Sequence, residues 1–241
     1  MAREHLMPAA APQIAWNTFA SSADLAVALS GMVAERLRSA IDRRGKALIA
    51  VSGGTTPALF FRTLANEDLD WSKVSVTLVD ERFVSMSSPR SNAALVAENL
   101  LQNRAAAARF AGLYRAAGAV EEAARQADEE LRTLHWPLDV AVLGMGLDGH
   151  TASFFPDAVE LPALLDPVTS KTVMAVNAPS AGEPRLTLPL ATLVNAGAIA
   201  LHIEGSAKRG ALEAALQPGN RMPVRSVLDN ARTPVQVFWA P

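Results

Sequence analysis

The chain has 241 residues, 50% of them apolar and 19% charged, the balance of a folded protein rather than a disordered one. Its formal net charge of -2 offers nucleic acid no global attraction, and its lack of cysteine removes disulfides, thiolate nucleophiles and Cys-ligated zinc together. No apolar run approaches the roughly 20 residues that span a bilayer, and the opening stretch, with Glu4 and Pro8 and no apolar core, lacks the pattern of a secretory signal, so a soluble cytoplasmic protein with no membrane partner is expected.

Residues 1–21 read as a loose start carrying one strand around Ile14–Phe19. From Ser22 a helix is predicted to about Arg44, because Leu25, Leu29, Met32, Val33, Leu37 and Ile41 recur three or four apart and give it one apolar face. Gly45 suits the left-handed residue that ends a helix. Ala47–Val51 is a short continuous apolar run, the pattern of a buried strand, and it breaks into Ser52-Gly53-Gly54. Pro57 then sits in the first turn of a helix over about 57–65. Val74–Val79 is the next strand and ends in Asp80-Glu81-Arg82; helices follow over Asn92–Leu101 and about Ala119–Leu134. Asp139–Leu143 is a third buried strand, ending in Gly144-Met145-Gly146. Beyond Pro156 the chain is loop-rich as far as Thr172–Val176, with further strands near Arg185–Leu188, Ala198–Ile203 and Val235–Trp239 and a helix over Ser206–Leu216.

Strands that alternate with helices imply right-handed βαβ units and a mostly parallel sheet flanked by helices, an α/β, three-layer fold. With no repeat and no low-complexity linker, residues 1–241 are read as one domain. Such sheets bind ligands at the C-terminal ends of their strands, and polar clusters stand at those ends here.

The first cluster is Ser52-Gly53-Gly54-Thr55-Thr56-Pro57. Its glycines let backbone approach an anion, and the hydroxyls and the following helix N-terminus supply donors; an ordinary capped turn fits the same residues. No Gly-Lys-Ser/Thr follows, so it is not a Walker A loop. The second is Asp80-Glu81-Arg82 with Arg90-Ser91-Asn92: a strand-end carboxylate can orient a hydroxyl or take a proton, and Arg82 can pair with phosphate, although a solvated charged loop would look alike. The third, Gly144 to Thr151, matches G-x-G-x-x-G, but it does not follow the first strand and no acidic strand end lies about 20 residues on, which argues against a dinucleotide. Within it His150 stands two residues after Asp148, a base-and-orienter spacing suited to general-base chemistry near neutral pH. His5 lies in the loose terminus, His135 at a helix end and His202 inside a strand, where packing is the expected role. In Glu204-Gly205-Ser206-Ala207-Lys208 the cation falls in a first helical turn, where it opposes the helix dipole and calls for an anionic partner, either a ligand or Glu204. Arg185, opening a strand, is a further candidate cation. No metal-ligand spacing and no Gly-x-Ser-x-Gly elbow is present, which leaves hydrolysis by water, with no metal or covalent intermediate, as the simplest chemistry.

In this order, Val51 to Pro57, Val79 to Val84 with Ser91-Asn92, Leu143 to Pro156, Arg185 to Leu188 and Gly205 to Lys208 resemble the 6-phosphogluconolactonase family, within the group that includes glucosamine-6-phosphate deaminases. The likeness runs over nearly the whole chain, and its Gly-His segment is specific. It implies a modified Rossmann-like, deaminase/lactonase-like fold and a cofactor-free hydrolase of the oxidative pentose phosphate pathway acting on a small sugar phosphate. On that resemblance His150 takes a proton from the water that attacks C1 of 6-phospho-D-glucono-1,5-lactone. Asp148 and Asp80 hold the imidazole and sugar hydroxyls, and Ser52, Gly53, Gly54, Thr55, Arg82, Arg185 and Lys208 form the anion pocket.

Two rivals differ in class. The resembling deaminases carry Glu five residues after the histidine, where this chain has Phe155, and Tyr where it has Arg82; both departures favour the lactonase. A non-catalytic sugar-phosphate sensor would need a DNA-binding module, and the roughly 20 residues before the first helix cannot hold a helix-turn-helix. Monomer and homodimer are equally compatible with the sequence.

Overall fold

The computed structural model describes residues 13–241; the opening stretch that was read for a secretory signal, and His5, lie outside the described residues. In chain order the elements are β1 (Ile14–Thr18), α1 (Ser22–Arg44), β2 (Ala47–Val51), α2 (Ala58–Leu64), β3 (Val74–Leu78), β4 (Asp80–Arg82), α3 (Asn92–Asn99), β5 (Arg109–Ala111) and α4 (Val120–Leu131). They continue with β6 (Val140–Leu143), α5 (Leu161–Leu164), β7 (Met174–Val176), β8 (Arg185–Thr187), α6 (Leu190–Val194), β9 (Ile199–Glu204), α7 (Ser206–Ala215), α8 (Pro223–Asn230) and β10 (Val235–Ala240).

Seven strands form one sheet in the order β1-β10-β9-β6-β2-β3-β5, and every neighbouring pair is parallel. Every residue of β2 and β6 is buried, so both faces of the sheet centre are covered and the strands read as apolar runs without alternation. On one face α1 lies against β2, β6 and β10 and packs on α2. Its ends are set chemically. Ser21 Oγ accepts from Asp24 N at 3.1 Å, and Gly45, at φ +74°, returns its N–H to Ile41 O at 2.7 Å. The face it buries is that of Leu25, Leu29, Val33 and Leu37, all fully inaccessible; truncating any one of the three leucines to Ala should cost about 2–5 kcal/mol.

The sequence expectation differs from the structure in one topological respect. The strands near Thr172–Val176 and Arg185–Leu188 do not join the parallel sheet. With β4 they form a separate three-stranded antiparallel sheet, β4-β8-β7. The short β5, α5, α6 and α8 were not foreseen either. Among the described residues no helix is long and apolar enough to cross a membrane.

The connectivity fixes where a ligand should bind. From β2 the chain steps outward through β3 to β5, then returns to the opposite side of β2 as β6 and steps outward again through β9 to β10. The crevice beyond the C-terminal ends of β2 and β6 is therefore the topological switch point, where the two following loops part.

Candidate active site

The loops after β2 and β6 are stitched together at that crevice. Ser52 N donates to Val142 O at 2.9 Å, and Gly144 N donates to Ser52 Oγ at 3.2 Å. Between them opens a cavity of about 440 Å³. Gly53 is required there: a Cβ on it would fall 1.9 Å from Asn92 Oδ1, so Asn92 rests on bare backbone.

The loop after β6 is folded tightly around its glycines. Gly146 N donates to His150 O at 2.9 Å, and Gly149, at φ +77°, donates to Gly146 O at 3.1 Å. Thr151 Oγ1 donates back to Gly144 O at 2.8 Å. His150 Nδ1 lies 2.6 Å from Asp148 Oδ1, which also accepts from His150 N at 3.2 Å. A carboxylate can only accept, so Nδ1 carries the ring proton and Nε2 keeps a lone pair for whatever enters the cavity. The imidazole packs against the Phe155 ring, tilted by 32° with centroids 4.5 Å apart, and its side chain stays 31% exposed, open enough to meet a ligand. Just beyond, Ala152 is held at φ +50°, a conformation that costs an L-residue about 1–2 kcal/mol. The chain reverses there and delivers Ser153, whose Oγ donates to Asp80 Oδ2 at 2.7 Å.

Opposite stand the cations. In the β4–β8 register Arg82 faces Arg185. Arg82 Nη1 donates to Asn92 Oδ1 at 2.7 Å and to Arg90 O at 2.5 Å. Arg185 Nη2 donates to Ala181 O at 2.9 Å, its Nε is buried with no partner among the described residues, and its guanidinium sits 5.6 Å from the Phe155 ring centroid. Burial pulls its pKa below the usual arginine value, against the opposing attraction of Asp80 and Glu183. Lys208, in the first turn of α7, is likewise lowered by burial, with Glu204 acting the other way. Three cationic side chains on one cavity, one with an unused buried donor, make an electrostatic well for an anion.

Of the ten residues expected to form the site, Ser52, Gly53, Gly54, Thr55, Asp80, Arg82, His150, Arg185 and Lys208 line this cavity, and Asp148 stands behind His150. Asp148 holds the imidazole, and the Asp80 carboxylate accepts from Ser153. Glu81 belongs to the core: fully buried, it accepts from Ser91 Oγ and from the N–H groups of Arg82, Asn92 and Ala93 at 2.7–3.1 Å, which caps α3. Burial raises its pKa, and those four bonds oppose the rise. Glu204, a candidate partner for Lys208, instead accepts from Ser22 Oγ at 2.6 Å and meets His202 Nε2 at 3.0 Å. Asn92 and His202 also line the cavity, though neither was among the ten expected site residues. Asn92 stood in the second polar cluster without a role of its own; His202 could have been found from its place near the end of a strand, two residues from an acid on the same face. Among the described residues no group of three or more His, Asp or Glu side chains is arranged to hold a metal ion.

Residues 20–239 match the profile of the family of glucosamine-6-phosphate isomerases/6-phosphogluconolactonase. The chain is 60% identical to the 6-phosphogluconolactonase of Mesorhizobium japonicum over 241 residues, all of both chains. It is 52% identical to that of Rhizobium meliloti, over 93% of this chain and 98% of the relative. The crystal structure of a 6-phosphogluconolactonase from Shewanella baltica superposes with a TM-score of 0.91 at 40% identity, covering 95% of this chain and 98% of the other.

Proposed function

We propose, from the premise that the chain belongs to the glucosamine-6-phosphate isomerase/6-phosphogluconolactonase family, that it hydrolyses 6-phospho-D-glucono-1,5-lactone to 6-phosphogluconate. The observation that carries the mechanism is the 2.6 Å Asp148–His150 pair at the edge of a cavity that three cationic side chains line.

His150 Nε2 removes a proton from water as the water oxygen attacks C1. The carbonyl π electrons move to oxygen and form a tetrahedral oxyanion. When that collapses, the C1–ring oxygen bond breaks, and the leaving oxygen takes the proton from Nε2 to become the C5 hydroxyl. The new carboxylic acid then ionises. Asp148 stays ionised throughout, holding the ring and stabilising the transient imidazolium. A positioned base of this kind supplies about 10²–10⁴-fold, which suits an already reactive cyclic ester. Arg82, Arg185, Lys208 and the Ser52–Thr55 turn bind the phosphate end and set the reach of C1 to the water. Asp80, held by Ser153, faces the sugar hydroxyls. The scheme closes on side chains and water alone. It asks for no partner beyond the small substrate, and the lack of cysteine suits a cytoplasmic setting.

Phe155 supports this reading over amino-sugar deamination. It occupies the position where the resembling deaminases carry Glu, and its ring, packed against His150, cannot move a proton.

The test is hydrolysis of freshly generated lactone, above the spontaneous rate, by the wild type and His150→Ala, with glucosamine 6-phosphate as a control. Turnover that collapses in the variant, without ammonia from the control, is expected. Ammonia release would move the chain to the deaminases, and full activity of His150→Ala would remove this base.

A further inference from the structure

A second imidazole meets the same cavity. His202 is 4% exposed in β9, a strand whose other residues up to Ile203 are Ile, Ala and Leu, yet it lines the cavity. Its ring is fixed on two sides: Nε2 lies 3.0 Å from Glu204 Oε1, and Phe60 meets it edge-on at 6.1 Å and 81°. Glu204 is itself pinned, its other oxygen accepting from Ser22 Oγ at 2.6 Å. An ionised carboxylate only accepts, so Nε2 carries the hydrogen and Nδ1 the lone pair. Among the described residues Nδ1 has no hydrogen-bond partner, and it is not one of the sealed, unpartnered polar atoms, which are Arg185 Nε, Asn195 Oδ1 and Thr233 Oγ1. Nδ1 is therefore the spare acceptor of a ring that lines the cavity.

This arrangement mirrors that of His150. There the carboxylate sits on Nδ1 and Nε2 is free; here the carboxylate sits on Nε2 and Nδ1 is free. The surroundings separate the two roles. Burial pushes the His202 pKa below the ordinary value, and the Lys208 charge adds to that. A ring that resists protonation holds an abstracted proton poorly, but it serves as a rigid acceptor.

We propose that His202 Nδ1 accepts a hydrogen bond from a ring hydroxyl of the sugar phosphate, which makes His202 a specificity-determining residue whose tautomer Glu204 and Ser22 fix. The inference rests on the lactonase reading and adds the part of the pocket that recognises the sugar rather than its phosphate. A buried acceptor left unmatched disfavours an analogue lacking the hydroxyl.

The experiment measures kcat and KM on the lactones of glucose 6-phosphate and of its 2-, 3- and 4-deoxy analogues, for the wild type, His202→Phe and His202→Asn. In the wild type each missing hydroxyl that is recognised raises KM. His202→Phe is expected to raise KM on the full substrate roughly three- to tenfold and to erase discrimination against one deoxy lactone while keeping it against the others. His202→Asn, which retains an acceptor, should recover part of the loss, and the pH dependence of kcat should stay that of the wild type. Unchanged KM with every discrimination retained would overturn the proposal. So would a collapse of kcat at constant KM with loss of a limb of the pH profile, which would make His202 part of the chemistry. If the phenyl ring fails to pack, His202→Leu carries the same comparison. Wild-type protein that hydrolyses no lactone above the spontaneous rate would overturn the underlying lactonase reading instead.

Discussion

Arg82 and Arg185 stand directly opposite each other across the antiparallel β4–β8 pair, and both side chains reach one cavity. Like charges in that relation repel, and among the described residues Arg82 has no carboxylate ion-pair partner and Arg185 only a long one, Glu183 at 3.7 Å. The repulsion is what an anionic ligand relieves. Inorganic phosphate or 6-phosphogluconate should therefore raise the melting temperature of the wild type, and Arg185→Met should lose most of that rise while its ligand-free form melts no lower. Arg185→Lys should not restore it, because an ammonium neither forks to phosphate nor lies flat against Phe155. Equal ligand shifts in the wild type and Arg185→Met, read by thermal denaturation, would count against an anion site here.

Asp148 sets which nitrogen of His150 is free. In Asp148→Asn the amide can donate to Nδ1, which moves the ring proton to Nε2 and removes the lone pair that should meet water. The expected outcome is a fall in kcat of about two to four orders of magnitude with KM little changed. A KM effect without a kcat effect would mean that the carboxylate serves binding rather than the base.

Two glycines act through the side chains they leave room for. A Cβ at Gly146 would lie 2.3 Å from the His150 ring and 2.6 Å from Asp148 Oδ1, so Gly146→Ala must displace the pair. A Cβ at Gly53 would displace Asn92, which accepts from Arg82 Nη1 at 2.7 Å and donates to Asp80 O at 2.8 Å. Gly146→Ala is thus expected to lower kcat about tenfold or more, and Gly53→Ala to act mainly on KM. Overpacking should cost each about 1–3 kcal/mol of stability, which urea denaturation would measure. Wild-type kinetics in either variant would show that the loops yield.

The central strands were legible because both their faces are buried: Ala47–Val51 and Val140–Leu143 are apolar runs whose environment leaves no alternation to misread. Helix α1 was legible to its last residue, since its apolar spacing and Gly45 agree. The small antiparallel sheet was not. Its strands have three residues each, too few for a period, and β4 is Asp80-Glu81-Arg82, which reads as a charged loop until Arg82 is seen to pair with Arg185. Helix α8 did carry a signal, Pro223 at its start and Val224, Val227 and Leu228 on one buried face. The loop residues of the site could be read from type and position along the chain. Asn92 stood among them in the second cluster, but its role was not legible, because it depends on Gly53 being near it in space.

His202 also couples the pocket to stability. Burial lowers its pKa from 6.5, the Glu204 contact opposing the shift. A group whose folded pKa is depressed stabilises the fold above its unfolded pKa, and that stability is lost as pH falls, because the unfolded chain takes up the proton first. Between about pH 7.5 and 5 the wild type should lose stability with a slope to which His202 contributes at most about 1.4 kcal/mol per pH unit. His202→Phe removes the titrating group, so its stability should fall less steeply over the same interval, whatever its absolute value. Urea denaturation of both proteins at several pH values across that range would measure the difference in slope, which is insensitive to the other histidines because both chains share them. Parallel profiles would mean that the imidazole protonates as readily in the folded chain as in the unfolded one, and the buried, neutral acceptor would lose its physical basis.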